Sequence, residues 1–410
     1  MKRRMLFLSL ILAASLLTGC GYRTVEQMYA IPRRTEEYTL LQKTIEQAME
    51  GLEFASPTYG DNQQVVQSAD LDGDGKQEYI VFARGNSEKP LKILVFHEAE
   101  DGAYFLMEML QMNGAAFEQV DYVDMDGKPG SELVVGRRLS DQMMRVAAVF
   151  SFADGQSEQL INTIYAKFFT ADMDANGSAD LLVLLSDTDV SYGSAVLYTY
   201  ENGSILRSKE IRLSQRIEKM MRAKISRLQS GETALYLSSS MNDSAIVTDV
   251  LMVKDGDLVN LNNGSKLAYS VQTLRNYYLF MDDIDDDGVM ELPSLMDLRL
   301  GPNQSGEKRQ QLVYWYAIDS EGRQTEKLTF HNVDGGWYLR LDLDAMAAER
   351  MAVEKNGSSY TFYIWDEQNE SAAPLFTVYS FTGKDREQLA TDSNRFPLYR
   401  GENVVYAGKL

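Results

Sequence analysis

Four segments of this chain set carboxylates at alternating positions around a glycine, a spacing that gathers oxygens about one point. They are Asp70-Leu71-Asp72-Gly73-Asp74-Gly75-Lys76-Gln77-Glu78, Asp124-Met125-Asp126-Gly127-Lys128-Pro129-Gly130-Ser131-Glu132, Asp172-Met173-Asp174-Ala175-Asn176-Gly177-Ser178-Ala179-Asp180 and Asp283-Ile284-Asp285-Asp286-Asp287-Gly288-Val289-Met290-Glu291. In D-x-D-x-[DN]-G-x-x-[DE], side chains at positions 1, 3 and 5 converge while the glycine at position 6 permits a tight turn. Position 7 offers its carbonyl and the acid at position 9 closes the shell. Oxygen donors in this number suit Ca²⁺, which takes about six to eight at about 2.3–2.6 Å, whereas Mg²⁺ demands a tighter, wetter octahedron.

Three copies are complete, and Ca²⁺ is expected in each. One set is Asp70, Asp72, Asp74, the Lys76 carbonyl and Glu78; the next is Asp172, Asp174, Asn176, the Ser178 carbonyl and Asp180. The third is Asp283, Asp285, Asp287, the Val289 carbonyl and Glu291. The remaining copy has Lys128 where an oxygen belongs and Pro129 in place of glycine. Its Asp124, Asp126 and Glu132 form a weak metal set unless the Lys128 ammonium substitutes for the cation, and substitution is the expected reading. Acidic surface turns also use Asp and Gly, but complete copies in phase with a longer repeat weigh against that origin.

That longer repeat is the element that must position the loops. The copies start 54, 48 and 111 residues apart, the last close to a double interval, and a decayed copy, Ser226 to Ala234, falls in the gap without its acids. After each loop comes an apolar β-type run, such as Tyr79-Ile80-Val81-Phe82 or Leu181 to Leu185, then a second run, such as Leu91 to Phe96 or Val247 to Val253. Turns follow at Asp101-Gly102, Asp154-Gly155, Asn202-Gly203, Asp255-Gly256 and Glu321-Gly322, displaced in the fifth unit by an insertion around Pro302 to Lys308. Asx-Gly between such runs is a strong hairpin signal. Four short strands per repeat of about 50 residues is the pattern of a propeller blade, which buries its faces only by stacking on neighbours. A β-solenoid is the alternative, with shorter repeats.

The loops are similar to those of EF-hands and dockerins, but here the ninth acid leads into a strand and not a helix. Residues 55–320 accordingly resemble the FG-GAP/VCBS-type repeat of calcium-loop propeller blades. The resemblance implies binding roles and cell-surface display, sometimes beside an enzyme. The Lys128 copy and the decayed copy depart from the family pattern.

Lys2, Arg3 and Arg4 precede an apolar stretch, Met5 to Leu16, that ends in Leu17-Thr18-Gly19-Cys20. A basic start, a short apolar core and small residues make an export signal. Its ending resembles a bacterial lipobox, which implies acylation of Cys20 and an exported chain anchored to the cell membrane, facing outward. Cys20 is the single cysteine, so no internal disulfide forms. Loss of residues 1–19 moves the formal charge from −20 to −23, since it removes three basic residues and no acidic ones. That balance excludes nucleic acid as a partner, because nucleic-acid binding needs Lys/Arg clusters.

The expected architecture is mainly β: a repeat β-propeller with five detectable units and up to seven blades, an N-terminal helix and a small C-terminal α+β domain. The divisions are a signal and lipobox over 1–20, a tether and amphipathic helix over 21–52, blades over 53–324, and the α+β domain over 325–410. Leu41, Ile45, Ala48, Met49 and Leu52 share one face of that helix. In the C-terminal region strands are read at Trp337 to Leu339, Tyr360 to Trp365 and Pro374 to Phe381, with a helix from Asp344 to Ala352; two diverged blades are the rival reading. H-E-x-x-H, G-x-S-x-G and a P-loop are absent, and both histidines, His97 and His331, are read as remote from other metal ligands. The function expected is a non-enzymatic, calcium-binding envelope lipoprotein presenting a module for a protein or glycan. A polysaccharide hydrolase or lyase, and a sensor or accessory subunit, are the alternatives.

Overall fold

The computed structural model describes residues 36–139, 144–153, 155–186, 192–241, 245–261, 273–303, 311–321, 324–332, 337–341, 350–366, 368 and 371–410. Cys20 and the expected tether over 21–34 lie outside them. The chain forms six sheets in sequence order, a propeller-type succession of blades. The first holds Val66–Ala69, Glu78–Arg84, Leu91–Glu98 and Tyr104–Met112, with Glu53–Phe54 added beside Glu78–Arg84. The second holds Ala116–Val123, Glu132–Arg138, Arg145–Ser151 and Glu158–Ile164. In the third are Lys167–Ala171, Asp180–Leu185, Ser194–Glu201 and Ser204–Arg207, with Ile211–Arg212. The fourth comprises Met220–Arg227, Thr233–Ser240, Ile246–Lys254 and Asp257–Asn260. All pairing within these four is antiparallel, and apart from the added Glu53–Phe54 and Ile211–Arg212 it runs between consecutive strands. The two-residue hairpins at Asn202-Gly203 and Asp255-Gly256 have positive φ at both positions (51° and 83°, 52° and 79°), the primed turn that matches strand twist.

Burial on both faces explains why the central strands read as continuous apolar runs. Alternate residues of one strand enter different cores, because side chains alternate across a sheet. Ile80 and Phe82 pack toward Leu133, Val135 and Ala148 of the second sheet, whereas Val81 and Ala83 face the other way. The division recurs along the chain. Val134 and Val149 meet Leu181 and Val183; Leu182 and Leu184 meet Leu235 and Leu237; Tyr236 and Val250 meet Leu292 and Tyr316.

The outward face of the first sheet is covered by helix α1 (Glu36–Ala48). Leu41, Ile45 and Met49 are buried there against Val81, Leu94 and Phe96, with Ala48 and Leu52 partly buried beside them. The helical spacing is therefore a packing face for the first blade.

The fifth sheet contains Glu291–Asp297, Gln311–Ile318, Gln324–Asn332 and Trp337–Leu341. Its expected leading strand is reduced to one bridge, Asp282 with Glu291. The expected break at 324/325 falls inside this sheet, since Gln324–Asn332 pairs with Gln311–Ile318 along its length. The insertion after Pro302 displaces the last strands past the expected end of the repeat. The sixth sheet joins Met351–Asn356, Ser359–Asp366, Ser371–Thr382, Val404–Lys409 and Phe396–Arg400, with α2 (Arg386–Thr391) packed on it through Ala390. It also takes a parallel strand from just before the insertion, Arg299–Leu300, which sequence spacing did not reveal. The helix expected over Asp344 to Ala352 lies mostly outside the described residues, and Met351 and Ala352 are strand.

Candidate metal centres

In the first three blades the Asp loop joins two consecutive strands, and in the fifth it leads from the Asp282 bridge into Glu291–Asp297, so the loops share one rim. A buried apolar residue at position 2 anchors the loops of the first four blades, and Ile284 of the fifth is half-buried. Leu71, Met125 and Met173 are 1–2% exposed, and Leu228 of the decayed copy is fully buried. Burying that side chain carries its backbone N–H out of water, and a buried N–H requires an acceptor. The ninth acid supplies it. Leu71 N–H donates to Glu78 Oε2 (2.7 Å), Met125 to Glu132 Oε2 (2.7 Å), Met173 to Asp180 Oδ2 (2.9 Å) and Ile284 to Glu291 Oε2 (3.0 Å). These acids are 0–4% exposed. Sequence reasoning gave them to a metal shell alone and missed this second role; the recurring apolar residue at position 2 was its signal. In the fourth blade the Glu232 carbonyl takes the Leu228 N–H instead (2.8 Å), and this alignment sets the decayed copy one residue later than Ser226.

The other carboxylates fold the loops. Asp70 accepts from the N–H groups of Gly73 (2.7 Å) and Gly75 (3.0 Å), Asp72 from Asp74 (3.1 Å) and Asp74 from Lys76 (2.7 Å). Asp172 takes Asn176 and Gly177, Asn176 Oδ1 takes Ser178, Asp283 takes Asp287 and Gly288, and Asp287 takes Val289. Oxygens of Asp172, Asp174 and Asp180 lie within 4.8 Å of one another, as do those of Asp283, Asp285 and Glu291 and those of Asp124, Asp126 and Glu132. In the first loop the corresponding group is Asp70, Asp72 and Asp74. Lys128 Nζ sits 2.7 Å from Asp126 Oδ2 and over the Tyr200 ring, and the Asp126 contact holds the ammonium above its ordinary pKa.

Neighbouring loops are bonded to each other. The N–H of Ser131 donates to the Asp70 carbonyl (2.8 Å), that of Ala179 to Asp124 (2.6 Å) and that of Met290 to Arg227 (3.1 Å). Each bond runs from position 8 of one loop to position 1 of the blade before it. Gly73, at φ +77°, lies so close to the second loop that a Cβ would stand 2.4 Å from the Pro129 carbonyl carbon. Pro129, an oddity in the sequence pattern, is a packing surface for the first loop.

His97 corrects the sequence reading, which held it apart from metal ligands. Tyr79 pairs with Phe96, so the register sets His97 beside Glu78 across the hairpin. Its Nδ1 is 2.9 Å from Glu78 Oε1 and 3.6 Å from Asp72 Oδ2, and its Nε2 is 3.8 Å from Asp74 Oδ2.

At the opposite ends of the strands a groove of about 560 Å³ opens between the second and third blades. Met144, Ile164, Leu185 and Ile217 give it an apolar lining, with Arg145, Lys167 and Glu218 around them. Glu118 lies beneath, held by Arg145 Nε (2.5 Å) and the Tyr165 hydroxyl (3.2 Å).

No family model matches the chain, and no curated protein matches it. Among solved structures it is similar to an exotype rhamnogalacturonan lyase (12% identity, TM-score 0.33), with 75% of this chain and 64% of that chain covered. The chain thus spans less than two thirds of that protein's length. It is similar also to a Bacillus licheniformis rhamnogalacturonan lyase (11% identity, TM-score 0.33, 82% and 80% covered). The β-propeller domain of the Trilobed protease from Pyrococcus furiosus is a third (11% identity, TM-score 0.28, 84% and 90% covered). Scores this low carry no argument about activity or substrate.

Two expectations follow from the loops. Gly73→Ala and Gly75→Ala both incur the roughly 1–2 kcal/mol of a left-handed alanine. Only Gly73→Ala also meets Pro129, an overpacking that adds about 1–3 kcal/mol; equal losses in urea unfolding would refute the stacked loops. The second expectation concerns pH. Burial raises the Glu78 and Glu132 pKa values and lifts Asp180 from 3.8 to about 7, with Asp174 and Asp172 adding to the effect in Asp180. A folded pKa above the unfolded one means that the native state holds more protons between the two values. In chelator the melting temperature should therefore fall as pH rises from about 4 to about 7. Asp180→Asn, which keeps an oxygen for the Met173 N–H, should flatten that fall; an unaltered slope would count against it.

Proposed function

We propose that this chain is a non-enzymatic, lipid-anchored module of the bacterial cell envelope whose loop rim takes Ca²⁺ and whose blades present a surface to a protein or glycan. The observation that carries the reading is the convergence of side-chain oxygens from positions 1, 3 and 9, or 1, 3 and 5, in every complete loop. Such hard oxygen donors, in flexible turns that still leave room for carbonyls and water, fit Ca²⁺. Asp70, Asp72 and Asp74 would hold one ion, Asp172, Asp174 and Asp180 another, and Asp283, Asp285 and Glu291 a third. The carbonyls of Lys76, Ser178 and Val289 complete the FG-GAP/VCBS-like pattern. In the second loop the Lys128 ammonium answers Asp126 in place of an ion.

The groove supports binding over glycan cleavage. A glycosidase uses a facing pair of carboxylates, whereas Glu218 is the one carboxylate among the described residues lining this groove. Glu118 below it is engaged by Arg145 and Tyr165. The anchor is Cys20, and among the described residues no helix is long and apolar enough to cross a membrane.

Calorimetric titration of the full chain in detergent should give one Ca²⁺ for each complete loop, and Lys128→Asp should gain one more. At an excess of about 100-fold over Kd each ion adds about 2.7 kcal/mol of stability, so a chelator should lower the melting temperature and Ca²⁺ should restore it. Absent binding heat together with an unchanged melting curve would defeat the metal reading. Separately, Cys20→Ala should move the chain from the membrane to the soluble fraction, and continued membrane recovery would defeat the lipid anchor.

A further inference from the structure

The complete loops are not chemically equivalent, because the residue opposite the ninth acid differs. Across the hairpin Glu291 meets Ala317, the register brings Thr199 beside Asp180, and in the second blade Ser151 bonds to Glu132. In the first blade that position is His97. The consequence is visible in how the acids group. The ninth acid joins positions 1 and 3 in the second, third and fifth blades, but in the first Glu78 is drawn into a separate group with Asp72 and His97.

We propose that Asp72, Glu78 and His97 form a mixed nitrogen–oxygen site for a first-row divalent ion of the Zn²⁺ or Mn²⁺ kind, in preference to Ca²⁺. This rests on the reading of the loops as metal sites and assigns one of them a different ion. Asp72 Oδ2, Glu78 Oε1 and His97 Nδ1 all lie within 4.8 Å of one another. The Nδ1 separations of 2.9 Å from Glu78 and 3.6 Å from Asp72 bracket the edge of about 3.3 Å for a tetrahedron with metal bonds of about 2.0–2.1 Å. An imidazole donor favours Zn²⁺ and its neighbours over Ca²⁺, which prefers oxygen alone.

The rest of the site is already arranged as an outer shell. Nε2 of His97 lies 3.8 Å from Asp74 Oδ2, so that with a metal on Nδ1 the ring proton on Nε2 would point toward a carboxylate that a small shift brings into hydrogen-bond range. The Phe105 ring packs against the imidazole with centroids 5.6 Å apart. Glu78 is fully buried, and its other oxygen is fixed by the Leu71 N–H, so the ligating oxygen is aimed by the loop itself. Three protein ligands leave a fourth position for water.

Zn²⁺ and Mn²⁺ would be titrated into the full chain in detergent under saturating Ca²⁺, with Co²⁺ as a visible-absorption probe of nitrogen ligation. One ion per chain should bind in the presence of Ca²⁺, displacing the Ca²⁺ of the first loop, with which it shares Asp72. His97→Asn and His97→Ala should weaken it by more than the roughly 10–100-fold typical of losing an outer partner. Thr199→Ala, the equivalent change in the third blade, should leave it unchanged, and the chain has only two histidines to confuse the signal. Retained Ca²⁺ binding by the loops of the third and fifth blades in the His97 variants shows that they fold. Zn²⁺ or Mn²⁺ binding that is absent, or equal with and without His97, while Ca²⁺ still binds, would overturn this inference alone. Tighter Ca²⁺ binding in His97→Ala with no Zn²⁺ effect would also overturn it, by making the imidazole a resident cation. Failure of every metal to bind would overturn the loop reading itself.

Discussion

The hydrogen bond from the backbone N–H at position 2 to the acid at position 9 is the constraint on which the loop rim depends. It is a consequence of packing before it is anything else. Leu71, Met125 and Met173 must enter the core for adjacent blades to close, and each pulls a main-chain donor below the surface. A carboxylate at the head of the next strand reaches that donor within 2.7–2.9 Å. A buried carboxylate is itself costly to charge, which is why burial dominates the raised pKa values of Glu78, Glu132 and Asp180. The loop therefore closes on a group whose ionised form is costly. In the proposed reading, metal binding and blade packing draw on the same side chain.

That coupling extends from blade to blade because the loops are bonded in series. Position 1 contributes its side chain to its own loop and its carbonyl to the next, as Asp70 does for Ser131 and Asp124 for Ala179. A change of the main chain at one first position is felt at the eighth position of the neighbour. The second loop is the middle member of such a run. With Lys128 on Asp126 part of its charge is answered from within the chain, and in the proposed reading it stands between two loops that take an ion.

The blade stack was legible in the sequence because its signals are local. Asx-Gly turns, runs such as Tyr79 to Phe82, and loops in constant phase each depend on a few adjacent residues. The fifth blade shows the limit. Arg299–Leu300, just before its insertion, pairs with Met351–Asn356, a parallel contact with no local signature, and the last strands of the sheet lie beyond the expected break. His97 shows another limit. Nothing near it in sequence marks it as a loop residue; only the pairing of Tyr79 with Phe96 brings it to Glu78. Had the hairpin register been counted back from the Gly85 to Pro90 turn, where Arg84 pairs with Leu91, it would have aligned the two. The dual role of the ninth acids was hidden differently, since the same residue type satisfies both the metal motif and the buried N–H.

The two ends of the blades carry opposite chemistry, and the strand length fixes their distance. Glu132–Arg138 begins at a loop acid and ends at two arginines, so about seven residues at about 3.3 Å each set the rims some 20 Å apart. Arg145 and Lys167 join the basic end, around an apolar groove between blades whose loops are bonded at the other end. The groove's walls are Arg145 and Ile164 from one blade and Lys167 and Leu185 from the next, so its width depends on how those blades lie together. The Ala179–Asp124 bond and the Leu181–Val134 core between them set that relation. In the proposed reading a cation at the loop rim thus need not touch a ligand to matter to it. By neutralising the buried acid that closes the third loop, it fixes the angle between two blades, and the angle fixes the groove.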